Sequence, residues 1–574
     1  MAEAKKQNFL HGAAILAAGV VVMKILGAIY KIPLNNILGD TGYGYFNLAY
    51  NIYNVLLTIS TAGLPVALSR MVAEADTLHR PKQVRRTFRV ASVTLAVLGL
   101  IFSLAMFLFP TEMAILFVSK AAVSRCVYAL SPAVLLVCLT SAFRGYIQGH
   151  GNMTPTTVGQ VLEVLVKVIV GLVLAIVLTR AGKSLPISSA GAIFGVTAGS
   201  LAALVYMLCC YLRSYREKSI RECAESGDVP DSVGGTLGMF IRIGAVITLG
   251  SSVMSLISVI DAKLIQMYLP GVHGIGSELA DRLYGSYSAM PTLFNLPAAF
   301  VTPLTIAVVP AISEAVARRA HADASAIAES GLRISAVIAV PMGIGLAVLS
   351  SPIVKILYPR THEMGPTILA YMGVASIFVC IALVSNAILQ AHGNEKLPIV
   401  SMIAGGVVKI VCNLLLVRRP ELNILGACIG TIACYAVICL LNCIFIRRTL
   451  SEPPRYLGVF LRPLASGAVM GAAAWAVYGI ASRVLHADGG SRLALLPLVA
   501  GVSYEILKWL GRAEDTPIVR ALKWPGLMVQ KITTAQPEDD MVEVALIALK
   551  AALEMPDALP KELDPDYVEP DEQA

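Results

Sequence analysis

Thirteen apolar runs, each long enough to cross the hydrocarbon of a bilayer, lie near residues 10–30, 44–66, 88–109, 123–146, 156–179, 188–212, 237–260, 284–311, 331–350, 367–390, 397–417, 423–446 and 457–481. A helix rises 1.5 Å per residue, so about 20 apolar residues span the hydrocarbon core. A fourteenth run, near 492–510, holds Glu505 and Lys508 within it. Lipid offers no water to backbone N–H and C=O groups, so only helices or closed barrels cross a membrane. Runs of this length are helices, and the chain reads as an all-α membrane protein. Composition agrees. Of 574 residues, 56% are hydrophobic and 14% are charged, and mean hydropathy is +0.73. Soluble chains carry about 25% charged residues, so this one has too few to coat a water-facing surface.

The formal charge of +8 sits mostly in short loops, which points to membrane orientation and away from nucleic acid. Arg70, Arg80, Lys82, Arg85, Arg86 and Arg89 follow the second run, and Arg213, Arg216, Lys218 and Arg221 follow the sixth. Arg318 and Arg319 follow the eighth, and Arg447, Arg448 and Arg455 the twelfth. All these loops share a side with the N-terminus, which is therefore expected to be cytoplasmic. Lys5 and Lys6 precede the first apolar run as in a signal peptide, but Lys24 closes that run and no cleavage site follows.

The chain repeats itself. Gln148-Gly149-His150-Gly151-Asn152 recurs as Gln390-Ala391-His392-Gly393-Asn394, and Val166-Lys167-Val168-Ile169 recurs as Val408-Lys409-Ile410-Val411. Both comparisons share one offset. Gly191-Ala192-Ile193-Phe194-Gly195 answers Gly426-Ala427-Cys428-Ile429-Gly430. Six runs in each copy, an even number, give both copies the same orientation, the arrangement of transporters that rock about a central site. The reading assigns 1–225 to an N-terminal six-helix lobe and 235–450 to a second. Residues 455–512 hold one or two additional helices, and 513–574 form a cytoplasmic tail with an acidic, disordered end.

No nucleotide or catalytic signature survives inspection. Gly182-Lys183-Ser184 ends like a phosphate loop, but Val177 stands where its first glycine should be. Eleven cysteines form no C-x-x-C pair or metal spacing. The expectation is a transporter and not an enzyme, with no cofactor and no metal.

Ionisable groups inside a bilayer are costly and usually face a cavity or a partner. Lys24 and Lys31 lie on the first helix. Glu163 and Lys167, four apart, share a face and can pair. Lys409 is the repeat partner of Lys167. These five residues are the proposed cavity lining. Asp261, with Lys263 beside it, and Arg282 and Asn386 are candidates for ion binding or gating. Arg70 and Arg144, at cytoplasmic helix ends, are candidates for lipid-headgroup contact. Pro291, Pro297, Pro303 and Pro310 permit kinks around a cavity. Three lysines against one glutamate make the interior lean basic, which suits phosphate or pyrophosphate.

At the stretches Lys24–Leu34, Gly63–Arg70 and Arg144–Gly149 the chain resembles the stage V sporulation protein B group, of the polysaccharide-transporter branch of the multidrug/oligosaccharidyl-lipid/polysaccharide exporter superfamily. Asn295–Pro297, Val309–Ala315 and Leu389–Gly393 carry the same resemblance, which covers about 5–485. It implies two MATE/MurJ-like lobes and alternating-access flipping of undecaprenyl-pyrophosphate-linked sugars across the bacterial cytoplasmic membrane, with lipid II the expected cargo and spore cortex an expected setting. The protein would act as a monomer among membrane lipids and cell-wall synthesis proteins. The related MurJ flippases line their cavity with arginines on the first, second and eighth helices. Lys24 falls where the first would be and Lys31 within a residue of the next, but Met290-Pro291 replaces the third, with Arg282 well before it.

From about Ser491 the chain resembles the C-terminus of YqhQ-like membrane proteins, on Leu496–Glu505, Lys523–Leu527 and Thr533–Asp540. A natural fusion and an assembly chimera would both produce the junction near 485–495. Two other functions remain open to this reading: a cation-coupled MATE-type multidrug exporter using Glu163 or Asp261, and a non-transporting scaffold for envelope synthesis.

Overall fold

The structure is a computed structural model that describes residues 9–272, 275–450 and 452–484. The chain divides into two compact units, Met1–Pro497 and Leu498–Ala574, and every described residue lies in the first. The expected fourteenth helix and the tail fall outside the described residues. Among the described residues there is no strand.

The first lobe opens with α1 (Phe9–Thr61), which joins the first two expected spans into one element bent at Gly39 (φ 67°, ψ 174°). Glycine reaches that left-handed φ without steric penalty. After α2 (Leu64–Thr77) come α3 (Pro81–Leu108), α4 (Pro110–Val118), α5 (Ser124–Gly149), α6 (Thr154–Arg180) and α7 (Leu185–Ser214). Proline in the first turn starts α2, α3, α4, α6 and α7, where its missing N–H is not needed. A short α8 (Arg216–Glu225) lies in the connection to the second lobe.

That lobe begins with α9 (Val233–Tyr268), capped by Ser232, whose side chain accepts from the Gly235 N–H. The expected eighth span is broken at Met290 and Asn295 into α10 (Ser277–Ala289), α11 (Pro291–Phe294) and α12 (Leu296–Ala317). Pro291 and Pro297 begin the second and third pieces, as kink-forming prolines should. Then follow α13 (His321–Val348), α14 (Ser350–Leu357), α15 (Gly365–Ala391), α16 (Lys396–Leu416) and α17 (Leu425–Thr449), with α18 (Tyr456–Val484) packed on α13.

The order α3 to α7 is that of α13 to α17, and the packed pairs repeat: α3 with α5, α5 with α7, α6 with α7, and their counterparts. The repeated pentad is a helix stop. Gly151 and Gly393 adopt φ of +78° and +77°, and the N–H of Asn152 and Asn394 reach back to Ile147 and Leu389, closing the helix end as a Schellman turn does. Asn152 and Asn394 then donate to Tyr215 and Thr449, tying each stop to the end of α7 or α17.

The outward side chains of α3 (Val93, Val97, Ile101, Leu104, Leu108) are exposed and apolar. They recur every three or four residues, the period of one helix face. The same holds for Val400, Ile403, Val407, Val411 and Leu415 on α16. A helix with its apolar stripe turned outward has lipid as its solvent. With twelve apolar helical stretches of spanning length among the described residues, the first containing two expected spans, this is a multi-pass membrane protein.

Candidate substrate site and interlobe gate

In the first lobe, Lys167 on α6 meets the two arms of α1. Its Nζ lies 5.9 Å from the ring centroids of both Tyr30 and Tyr50, within reach of cation–π attraction. The Tyr30 hydroxyl donates to the Ala192 carbonyl at 2.9 Å, which holds that ring in place. Lys31 follows Tyr30 on α1, next to the ring that Lys167 faces. Neither lysine forms an ion pair with a described carboxylate. Lys24, two turns earlier on the same arm, is exposed.

Glu163 does not pair with Lys167, although spacing allowed it. Its carboxylate lies 3.7 Å from Arg144 Nη2 and accepts from Ser200 Oγ at 3.3 Å. Arg144, expected at a lipid headgroup, has this carboxylate instead. The reason is packing: Gly145 sits against the Pro65 carbonyl of α2, so the end of α5 is covered and Arg144 turns inward. Arg70 is exposed and keeps no described ionic partner.

The second lobe resolves its charges differently. Lys409 Nζ is 3.1 Å from Asp261 Oδ2. The same carboxylate accepts from Tyr287 Oη at 3.0 Å and from Asn413 Nδ2 at 2.5 Å. Asp261 is 6% exposed. Lys409, expected in the basic lining, is therefore paired with a carboxylate here. Lys263 donates to the Leu116 carbonyl at 2.8 Å. Asn386 accepts from Asn442 at 2.7 Å, a contact within the lobe, and Arg282 is exposed.

Two carboxylates outside the expected set join the lobes. Asp40, just past the bend in α1, accepts from Ser286 Oγ at 2.8 Å, Thr361 Oγ1 at 2.9 Å and the His362 N–H at 2.8 Å. All three donors belong to the second lobe. Asp281 on α10 forms an ion pair with Lys120 Nζ at 2.8 Å and accepts from Tyr45 Oη at 3.0 Å, both from the first. Asn36 and Arg360 add bonds to the Leu357 and Asn36 carbonyls. These contacts cluster at the end opposite the arginine-rich loops. Farther along, Thr58 meets Ser255, and the Gly63 N–H donates to Thr248 Oγ1. Apart from Asp40, Asp281, Lys120 and Arg360, the groups that join the lobes are neutral hydroxyls, amides and backbone atoms, which a search for charges inside apolar runs passes over.

Comparison with known proteins places this architecture. The family described as polysaccharide biosynthesis protein matches residues 9–316. The chain belongs to that family. The MatE family matches 277–415 within the second lobe. Among relatives in Bacillus subtilis, the uncharacterized membrane protein YabM is 27% identical over 77% of this chain and 81% of its own. Stage V sporulation protein B is 25% identical over 78% and 85%, and the lipid II flippase MurJ 24% over 86% and 93%. A MurJ structure in an inward closed conformation superposes with TM-score 0.62 at 14% identity, covering 87% of this chain and 98% of that one. An inward-facing MATE transporter of the MOP superfamily gives 0.58 at 13% identity, covering 79% and 98%. The fold is thus the two-lobed MOP fold. Residues 470–555 match a family of unknown function, and the C-terminal region is similar to YqhQ of Bacillus subtilis, 39% identical over 64 residues, 11% of this chain and 20% of that protein.

Proposed function

We propose that this protein is a flippase for polyprenyl-pyrophosphate-linked oligosaccharide, with lipid II its substrate, working by alternating access. One observation carries the reading: Lys167 faces the rings of Tyr30 and Tyr50, beside Lys31 in the chain, and neither lysine pairs with a described carboxylate, while Lys409 is compensated by Asp261. An uncompensated pair of ammonium groups beside two aromatic rings suits a pyrophosphate, whose charge it balances and whose oxygens it can bond. The family and the MurJ relative agree with this choice of cargo. Both candidate carboxylates for cation coupling, Glu163 and Asp261, already hold basic partners, which disfavours the drug-exporter reading.

The basic loops would face the cytoplasm by the positive-inside rule, putting the Asp40 and Asp281 contacts at the outer face. Loading from the inside would then require the Thr58–Ser255 and Gly63–Thr248 contacts, nearer the basic loops, to part while the Asp40 and Asp281 contacts hold. Outward movement of an anion is then downhill by about 2.3 kcal/mol per charge per 100 mV, so no nucleotide is needed. The test is reconstitution in vesicles with fluorescent lipid II, scored for transbilayer movement with and without an imposed potential. Movement that depends on the protein and speeds up when the loading side is negative supports the reading. Vesicles that move a cationic dye and leave lipid II in place would overturn it.

A further inference from the structure

On the side of the arginine-rich loops, a cavity of about 560 Å³ opens between the start of α3, the connection before α9 and the start of α9. Lys82, Arg85, Arg86 and Arg89 line one wall. Positions 82, 86 and 89 follow the helical period, so α3 presents them on one face. Arg86 donates to the Asp231 and Pro230 carbonyls and is held in place by them. Lys82, Arg85 and Arg89 form no ion pair with a described carboxylate. The acids nearby are engaged elsewhere: Asp231 pairs with Arg80 at 2.9 Å, and Asp228 accepts from the Lys82 and Gln83 N–H groups. Neither lines the cavity. The remaining walls are apolar, with Val90 and Val93 on α3 and Val233 and Leu237 on α9. Val93 also begins the exposed apolar stripe that runs on through Val97 and Ile101.

We infer that this pocket binds an anionic phospholipid, its phosphate on Arg85, Arg89 and Lys82 and its acyl chains along Val93 and the stripe below. The charge of the wall selects a negative headgroup, and continuity with the bilayer-facing stripe selects a lipid over a soluble anion. Basic clusters at the edge of a spanning helix attract anionic lipids in this way, each Lys or Arg adding to the affinity. Because the pocket draws on α3 from one lobe, α9 from the other and the segment between them, its occupant braces the two lobes against each other.

The inference is independent of the transported cargo, and its test reads phospholipid binding alone. The full-length protein would be placed in nanodiscs of phosphatidylglycerol and phosphatidylcholine with identical acyl chains, extracted, and its retained lipid identified by native mass spectrometry. Wild type should retain phosphatidylglycerol preferentially. R85Q/R89Q should lower that preference roughly ten- to thirtyfold, and R447Q/R448Q, which removes two charges outside the pocket, should leave it unchanged. V93W, which fills the groove with every charge intact, should also expel the lipid and provides the answer if the double variant fails to fold. No preference in wild type, an unchanged R85Q/R89Q or V93W, or an equal loss in R447Q/R448Q would overturn the inference. Displacement of the lipid by millimolar inorganic phosphate would assign the pocket to a soluble anion and overturn it as well.

Discussion

Lys409 Nζ lies 3.1 Å from the Asp261 carboxylate, whereas Lys167, its counterpart in the internal repeat, faces the rings of Tyr30 and Tyr50. Two positions that match in sequence therefore differ in electrostatic state. One lobe carries a satisfied buried pair, and the other carries positive charge that a substrate can neutralise. Under the proposed function the first lobe would grip the anion and the second would hold its shape.

The buried pair makes a stability prediction. Removing one partner leaves the other charge uncompensated, which costs about 3–5 kcal/mol in buried pairs, while replacing both with apolar residues is often close to neutral. K409M and D261L should each lower the thermal unfolding midpoint of the purified protein, and K409M/D261L should recover most of the loss. A double variant as unstable as the sum of the two singles would mean that the residues do not act as a pair.

Lys31 and Lys167 make a transport prediction. A charge-assisted hydrogen bond to a phosphate is worth about 1.5–3 kcal/mol, so K31Q or K167Q should slow lipid II movement roughly ten- to a hundredfold. The unfolding midpoint should hold, because neither lysine has an ionic partner to orphan. Arginine at either site should restore more activity than glutamine. Unchanged flipping in K31Q/K167Q would remove both lysines from the substrate path.

Much of the architecture could be read from the chain because the relevant signals are local. A span announces itself by length and hydropathy, and the repeat by a pentad whose glycines must adopt positive φ at Gly151 and Gly393. The Asp40 contacts had no such signal. Asp40 follows a glycine at a bend and looks like any solvated turn residue, and its partners Ser286, Thr361 and His362 lie far along the sequence. Glu163 shows the opposite failure. Its four-residue spacing from Lys167 suggested a pair within α6, but a neighbouring helix brought Arg144 to it, and spacing on one helix says nothing about the next.

The connection between the lobes carries a pH dependence. Burial pushes the Asp228 carboxyl up, but the Ser226 hydroxyl at 2.7 Å, the backbone N–H groups of Lys82 and Gln83 and the nearby Lys82 charge outweigh it and hold it below the ordinary carboxylate value. These N–H groups open α3, so Asp228 caps that helix from a distance. A depressed carboxyl contributes stability above its unfolded pKa, near 3.9, and loses it as pH falls through the lower folded value. Hydrogen exchange at Lys82 and Gln83 should stay protected from pH 7 to 5 and lose protection below about 4. D228N should remove the transition and leave these amides less protected throughout. Protection in D228N equal to that of wild type at pH 7 would show that Asp228 does not cap α3.

Gly285 on α10 packs its backbone directly against Asp40 of α1, and a methyl group there should force the two helices apart. A Cβ on Gly285 would lie 1.9 Å from the Asp40 carbonyl oxygen, far inside contact distance, and backbone cannot swing aside as a flexible side chain can. G285A must therefore move α10 away from α1, stretching the Ser286–Asp40 bond at 2.8 Å and the Asn47–Ser288 bond at 3.3 Å. Cysteines placed at Asn47 and Ser288 report that distance. N47C/S288C should cross-link readily with a short thiol reagent in the otherwise unchanged protein, and poorly when G285A is added. Gly276, whose Cβ would meet nothing within 4 Å, supplies the control, since G276A should leave cross-linking intact. Equal cross-linking in G285A and G276A would mean that the Asp40 contacts do not depend on this approach, and the proposed gate would have to be sought away from Asp40.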